Sequence, residues 1–174
     1  MFLKGDVVTL RAIEERDADV LREMINDPNV EQMVVGWSFP VSKAAQIRWI
    51  QNLQQNDKNQ RYIVDVQGSG VGMASITNID TKNGTFVVNI KLLDKAKGKG
   101  VGYETVQLLL AYGFQELNLH CATACILDYN ITSQKLFEKC GFQKDGVLRK
   151  RIYKKGEYHD LYAYSLIKEE SQWK

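Results

Sequence analysis

The sequence predicts one α/β domain over residues 1–174, with a mixed, mostly antiparallel sheet of about seven strands flanked by helices. Three observations predict it. The chain has 174 residues, 44% of them hydrophobic and 25% charged, which is enough apolar material for a single core. Most strand-like runs are joined by short turns rich in Gly and Asn, which makes antiparallel hairpins. One pair of strands is instead separated by a glycine-rich turn and a helical pattern, the connection a parallel crossover needs. There is no internal repeat or low-complexity linker, and only two prolines interrupt the chain.

Taken in order, Val7 to Ala12 is expected as the first strand. A helix should follow from Asp17, as N-cap, to Asn26, with Val20, Leu21, Met24 and Ile25 on one face. Asp27-Pro28-Asn29 is read as its stop. Gly36 to Pro40 is an apolar loop holding Trp37 and Phe39, and Ser42 opens a second helix carrying Ile47, Trp49, Ile50 and Leu53. Tyr62–Val66, Val71–Ile79 and Thr85–Leu93 then form a meander through the turns Gln67–Gly70 and Lys82–Gly84. A helix is expected from Val101 to about Leu117, a buried strand from Cys121 to Leu127 and a short helix from Thr132 to Cys140. A last hairpin, Gly146–Tyr153 with Glu157–Ile167, closes through Lys154-Lys155-Gly156.

Composition narrows the partners. A formal net charge of +2 is too small for nucleic acid as the main partner, and the basic run Arg149-Lys150-Arg151 reads as a solvated hairpin face. No stretch is apolar for long enough to cross a membrane, and the N-terminus does not read as a signal peptide. Cys121, Cys125 and Cys140 are an odd, scattered set, as expected of reduced thiols in the cytoplasm. Asn83-Gly-Thr and Asn130-Ile-Thr match the glycosylation pattern, which has no meaning without export. His120 and His159 show no ligand spacing with the cysteines, so no metal is expected.

The chemistry concentrates in Lys97-Gly98-Lys99-Gly100-Val101-Gly102-Tyr103. Glycines let the backbone approach a ligand and leave N–H groups free to converge. A helix starting there adds the positive end of its dipole, and Lys95, Lys97 and Lys99 add charge. This describes a cradle for a phosphate or pyrophosphate. The dinucleotide fingerprint is not met, and no Gly-Lys-Ser/Thr closes a nucleotide P-loop. The competing reading is a turn whose glycines only let the helix pack closely on its strand.

The order of strand, basic glycine turn, helix, strand, Asn130-x-x-Ser133 and Leu136-Phe137-Glu138-Lys139-Cys140-Gly141-Phe142 resembles the GNAT superfamily of N-acetyltransferases. The likeness spans the chain and is tightest from Val87 to Phe142. It looks most like the branch holding ribosomal-protein alanine and spermidine acetyltransferases, through L-R-x-I-E-E-R-D, Y-G-F-Q-E-L-N-L-H and G-E-Y-H-D-L-Y-A-Y-S-L. The resemblance implies a sheet split near its middle by acetyl-CoA, whose pyrophosphate meets the amides of residues 97–102. Lys97 stands where the family has Gln or Arg, so charge is kept and the planar fork lost.

Further roles follow from the same resemblance. An unpaired amide near Leu92 or Leu93 would hold the oxyanion, and Asn130 would bond the pantetheine arm or only turn the chain. Phe137 replaces the tyrosine that protonates the departing thiolate in many members. Ser133, one turn earlier, is the candidate acid, unless it only caps its helix or bonds the cofactor. The family's strand glutamate, expected near Val87, is absent, which leaves Asp80, Asp160, Glu14 and Glu31 as candidate bases or as solvated charges. Trp37 and Phe39 would line the acceptor side or lid the core.

The expected function is therefore acetyl transfer from acetyl-CoA to a primary amine by direct attack, in a monomer or homodimer. The acceptor class spans a protein N-terminus, a polyamine and an amino sugar. A CoA-binding regulator without catalysis is the alternative, favoured by Phe137 and the missing glutamate.

Overall fold

Alternating apolar residues give this chain sheet faces to bury, and short turns dictate which strands pair. The computed structural model describes residues 3–36, 39–53 and 56–173. Its strands are β1 (Leu3–Lys4), β2 (Val8–Arg11), β3 (Gln60–Val66), β4 (Ser69–Asp80), β5 (Thr85–Leu92), β6 (Cys121–Leu127), β7 (Gln143–Lys154) and β8 (Glu157–Ile167). They form one sheet in the order β1-β2-β3-β4-β5-β6-β8-β7. Every pair is antiparallel except β5–β6. The described strands number eight rather than about seven, because two-residue β1 is too short to leave a pattern.

The helices are α1 (Ala18–Asn26), α2 (Pro28–Met33), α3 (Lys43–Gln51), α4 (Val101–Ala111) and α5 (Ile131–Lys139). Ser42 caps α3 as expected, its Oγ accepting from Ala45 N at 3.1 Å. Asp27-Pro28-Asn29 does more than end α1. Pro28 occupies the first turn of α2, where its missing N–H costs nothing, and Asp27 Oδ1 accepts from Asn29 N at 2.8 Å. Asp17 holds the N-cap position of α1 as expected but makes no side-chain cap bond; its carboxylate is held by Arg11 and by the Glu14 N–H, 2.8 Å away.

The long helix expected to reach Leu117 instead passes into a π-helical turn over Tyr112–Glu116. There Gly113 lies under the Phe86 ring, and a Cβ would fall 2.4 Å from Phe86 Cζ. The ring itself meets Phe114 edge-on at 5.5 Å.

Two apolar cores cover the two faces of the sheet. On one, α4 and α5 bury Val88, Val106, Leu109, Leu110, Phe114 and Phe137. On the other, α1 to α3 bury Leu21, Met24, Val30, Ile50, Ile63 and Leu93. The feature that positions a site lies between β5 and β6. Their parallel pairing covers only Thr85–Val87 with Cys121–Thr123. Beyond it, β5 stays on β4 up to Leu92 and β6 stays on β8 up to Leu127, so the sheet opens into a wedge.

Candidate active site

Three adjoining cavities meet at that wedge. One of about 300 Å³ runs between the parted strands, past Val88, Ile90, Ala124, Ile126 and Ser133. A second, of about 200 Å³, leads toward the glycine turn along Leu92, Lys97, Asn130, Ser133 and Leu136. A third, of about 360 Å³, opens under the α1–α3 cap and is walled by Leu21, Met24, Val34, Trp49 and Met73. Lys91 borders all three.

The glycine turn divides its labour. Gly98 and Gly100 sit at φ +73° and +77°, in the left-handed region that glycine alone enters freely, and a Cβ at either would meet open space. Gly100 is the N-cap of α4 and supplies no side chain, so the first N–H groups of the helix are left for an outside acceptor. Gly102 differs: it is helical, and a Cβ there would press on Leu136 Cδ2 at 3.2 Å. It is a packing residue. Val101 is buried beneath the turn. Lys99 is exposed, and Lys97 Nζ is paired with Asp94 at 2.5 Å. Tyr103 lies half-buried under Lys139 Nζ, 5.0 Å from its ring centre.

Glu104, in the first turn of α4, would oppose an anion at the same end. Its carboxylate is instead turned onto the backbone N–H groups of Asp6, Val7 and Val8 in the β1–β2 connection. The sequence reading missed it, since a glutamate in a first helical turn is ordinary.

Of the two expected amides, one is taken. Leu93 N donates to Val71 O at 2.9 Å. Antiparallel alternation then turns the N–H groups of Ile90 and Leu92 away from β4, into the wedge β6 has left. Leu92 keeps its candidacy and Leu93 does not.

Asn130 uses both ends of its amide within the protein. Its Oδ1 caps α5 through Ser133 N at 3.1 Å, and its Nδ2 donates to Met33 O at 2.9 Å. Ser133 stands in the first turn of α5, bordering the two cavities nearest the wedge. Phe137, one turn on, is buried against Phe142 edge-on at 5.0 Å and offers no proton.

The expected acceptor-side residues do not gather here. Asp80 lies at the β4–β5 turn, the closed end of the β5–β6 pairing, and accepts from Lys82 N and Asn83 N at 3.0 Å each. The Asp160 carboxylate accepts from Lys150 N at 2.8 Å and fixes a bulge in β7. Glu14 is exposed and joined to Arg16. Phe39 is exposed, and Trp37 lies outside the described residues. Glu31 does line the apolar cavity, but Lys154 Nζ holds its Oε1 at 2.5 Å and also reaches Glu31 O and Gly36 O.

Sequence reasoning also missed Trp49, Met73 and Lys91. Lys91 shares its face of β5 with Val87 and Asn89, a face that reads as solvated at its Asn and Lys positions until α1 to α3 are laid over it. Burial, with Lys154 nearby, holds its amine below the usual lysine range. Partial desolvation likewise pushes the thiol of Cys125, an exposed residue bordering the wedge, up from its usual range, which disfavours its thiolate. Among the described residues, no three His, Cys, Asp or Glu side chains gather in a way that could hold a metal ion. No helix there is long and apolar enough to cross a membrane.

Comparison with known proteins bears on this geometry. The acetyltransferase (GNAT) domain family matches residues 8–143. The chain is 30% identical to the SPbeta prophage-derived uncharacterized N-acetyltransferase YokL of Bacillus subtilis (strain 168), over 95% of this chain and 93% of that one. It is 28% identical to the putative ribosomal N-acetyltransferase YdaF of the same strain, over 94% and 92% of the two chains. Among solved structures, spermidine N-acetyltransferase from Vibrio cholerae in complex with CoA and spermine shares the fold, with a TM-score of 0.86 at 22% identity, covering 95% and 98%.

Proposed function

The chain belongs to the GNAT family of N-acetyltransferases, and on that footing we propose that it carries an acetyl group from acetyl-CoA to a primary amine by direct attack. One observation carries the reading: the sheet parts between β5 and β6 immediately beside a turn whose left-handed glycines face open space at a helix N-terminus. Such a turn fits a pyrophosphate, and such a wedge fits the arm and thioester that follow it.

In this scheme the amine nitrogen bonds to the thioester carbonyl carbon, and the carbonyl oxygen gathers charge that the Leu92 or Ile90 N–H stabilises. The C–S bond then breaks, and the Ser133 hydroxyl hands the departing thiolate a proton and regains one from water. The amine's own proton leaves to water, because among the described residues Glu31 is the one carboxylate bordering the three cavities and Lys154 engages it. The upward shift of the Cys125 thiol favours direct attack over an acetyl-enzyme.

Release of free CoA thiol, measured over peptides with N-terminal Ala or Ser, amino acids, amino sugars and spermidine, tests the reading. Turnover with any of them supports it. A second reading, a CoA-binding regulator, draws on buried Phe137 in place of the tyrosine acid. Binding of acetyl-CoA with no thiol release over the whole panel would favour that reading and overturn the first.

A further inference from the structure

Lys91 is the anomaly of the molecule. It stands at the junction of all three cavities, half-buried, and among the described residues its side-chain amine has neither a hydrogen bond nor an ion pair. A desolvated cation without a partner is unfavourable in an empty fold, and an anion arriving beside it recovers that cost. The charges around it point the same way. Among the described residues the one carboxylate on the walls, Glu31, is already neutralised by Lys154. The rest of the α1–α3 cavity is apolar, from Leu21 and Met24 to Trp49 and Met73. Its 360 Å³ falls in the range of small-molecule sites and suits a ligand of amino-acid size.

We infer that the acceptor is an amphoteric amine, with an apolar body seated under α1 to α3 and an anionic group, a carboxylate at this size, paired with Lys91. The inference rests on the acetyl-transfer reading and sharpens it. A polyamine is disfavoured: it would bring further positive charge to walls where Lys91 is unpaired, and would find no free carboxylate among them. Lys91 serves here as a binding residue, and its charge rather than its basicity does the selecting.

Matched acceptors separate the two ideas: leucine against leucinamide, glucosamine 6-phosphate against glucosamine, and spermidine alone. Each is assayed for CoA thiol release and, by calorimetry, for binding to the CoA-loaded protein. Leucine should exceed leucinamide roughly ten- to hundredfold, as one charge-assisted contact allows. That order opposes intrinsic reactivity, since the amide's amine sheds its proton more readily. Lys91→Met should erase the ratio and Lys91→Arg should keep it, whereas a base role would be lost in both. A Lys91-dependent preference confined to the sugar pair overturns the apolar body and the carboxylate. Equal or better use of leucinamide or spermidine overturns the inference while leaving acetyl transfer intact. With no turnover at all, the calorimetric ratio still decides, and equal or absent binding overturns it.

Discussion

Replacing Arg11 by methionine should cost this protein about 3–5 kcal/mol at neutral pH, the usual penalty for breaking a buried ion pair. Arg11 is 9% exposed, and its guanidinium binds in a fork: Nη1 and Nη2 to the Asp17 carboxylate at 2.9 and 2.8 Å, Nε to Asp65 at 2.8 Å. The three charge-assisted bonds would be worth about 1.5–3 kcal/mol each if independent, but they share one cation, so the pair penalty sets the scale. The variant leaves the Asp17 and Asp65 carboxylates without the cation that bridges them. Asp65→Asn is the milder control, since Arg11 keeps its bidentate partner, and should cost about 1–2 kcal/mol.

The pH dependence has a definite sign. Burial alone would raise the Asp17 carboxyl, but the Arg11 hydrogen bonds, the Glu14 N–H and nearby positive charge outweigh it, and the group sits below its usual range. Its contribution is therefore complete above the unfolded value near pH 4 and fades as pH falls through the depressed one. Acid also neutralises the carboxylates left without that cation in Arg11→Met. The gap between the two proteins should be widest at pH 7 and shrink below about pH 4. Urea unfolding followed by tryptophan fluorescence measures it. A gap under about 1 kcal/mol at pH 7, or one unchanged in acid, would refute the argument. Because the same fork pins the start of α1 to the sheet, the variant's acceptor KM should also rise more than its acetyl-CoA KM.

Three further outcomes are expected. Gly100→Glu, which places a strained residue and a negative charge in the mouth of the glycine turn, should remove measurable acetyl-CoA binding by calorimetry; normal affinity would end the phosphate-cradle reading. Ser133→Ala should lower kcat by about 10²-fold or more while leaving the acetyl-CoA dissociation constant within a few-fold; an unchanged kcat would mean the thiolate leaves without this acid. Lys91→Met should raise Tm at pH 7. Since the fold holds the Lys91 amine below its usual range, its penalty applies while the amine is protonated and lifts as pH rises, so the Tm gap between variant and wild type should narrow in alkali.

Much of the architecture was readable in the residues. Cys121–Leu127 and Glu157–Ile167 keep their expected bounds, because turn chemistry brackets both runs. Pro28 misled, since the same Asp-Pro pair that stops one helix starts another, and only packing decides whether a six-residue helix follows. The π-turn at Gly113 left no signal, because the Phe86 ring that crowds it lies 27 residues earlier. The glycine turn marked a candidate ligand cradle in the sequence, but not that Gly102 serves packing while Gly98 and Gly100 face open space. Lys91 was illegible for a related reason: a lysine in strand alternation reads as wetted, and the helices that dry it come from residues 18–51.

The three-pair contact between β5 and β6 has a mechanical consequence. Strands β1 to β5 and strands β6 to β8 are two panels joined by a short seam, with loose edges at Val88–Leu92 and Ala124–Leu127. A long thin ligand lying in the gap would act as a splint between them, supplying from outside the chain the rungs the sheet lacks. Amide hydrogen exchange at those edges should therefore slow on loading with CoA, more than anywhere else in the sheet. The fold would be complete only with its substrate in place, and stiffness would itself report occupancy.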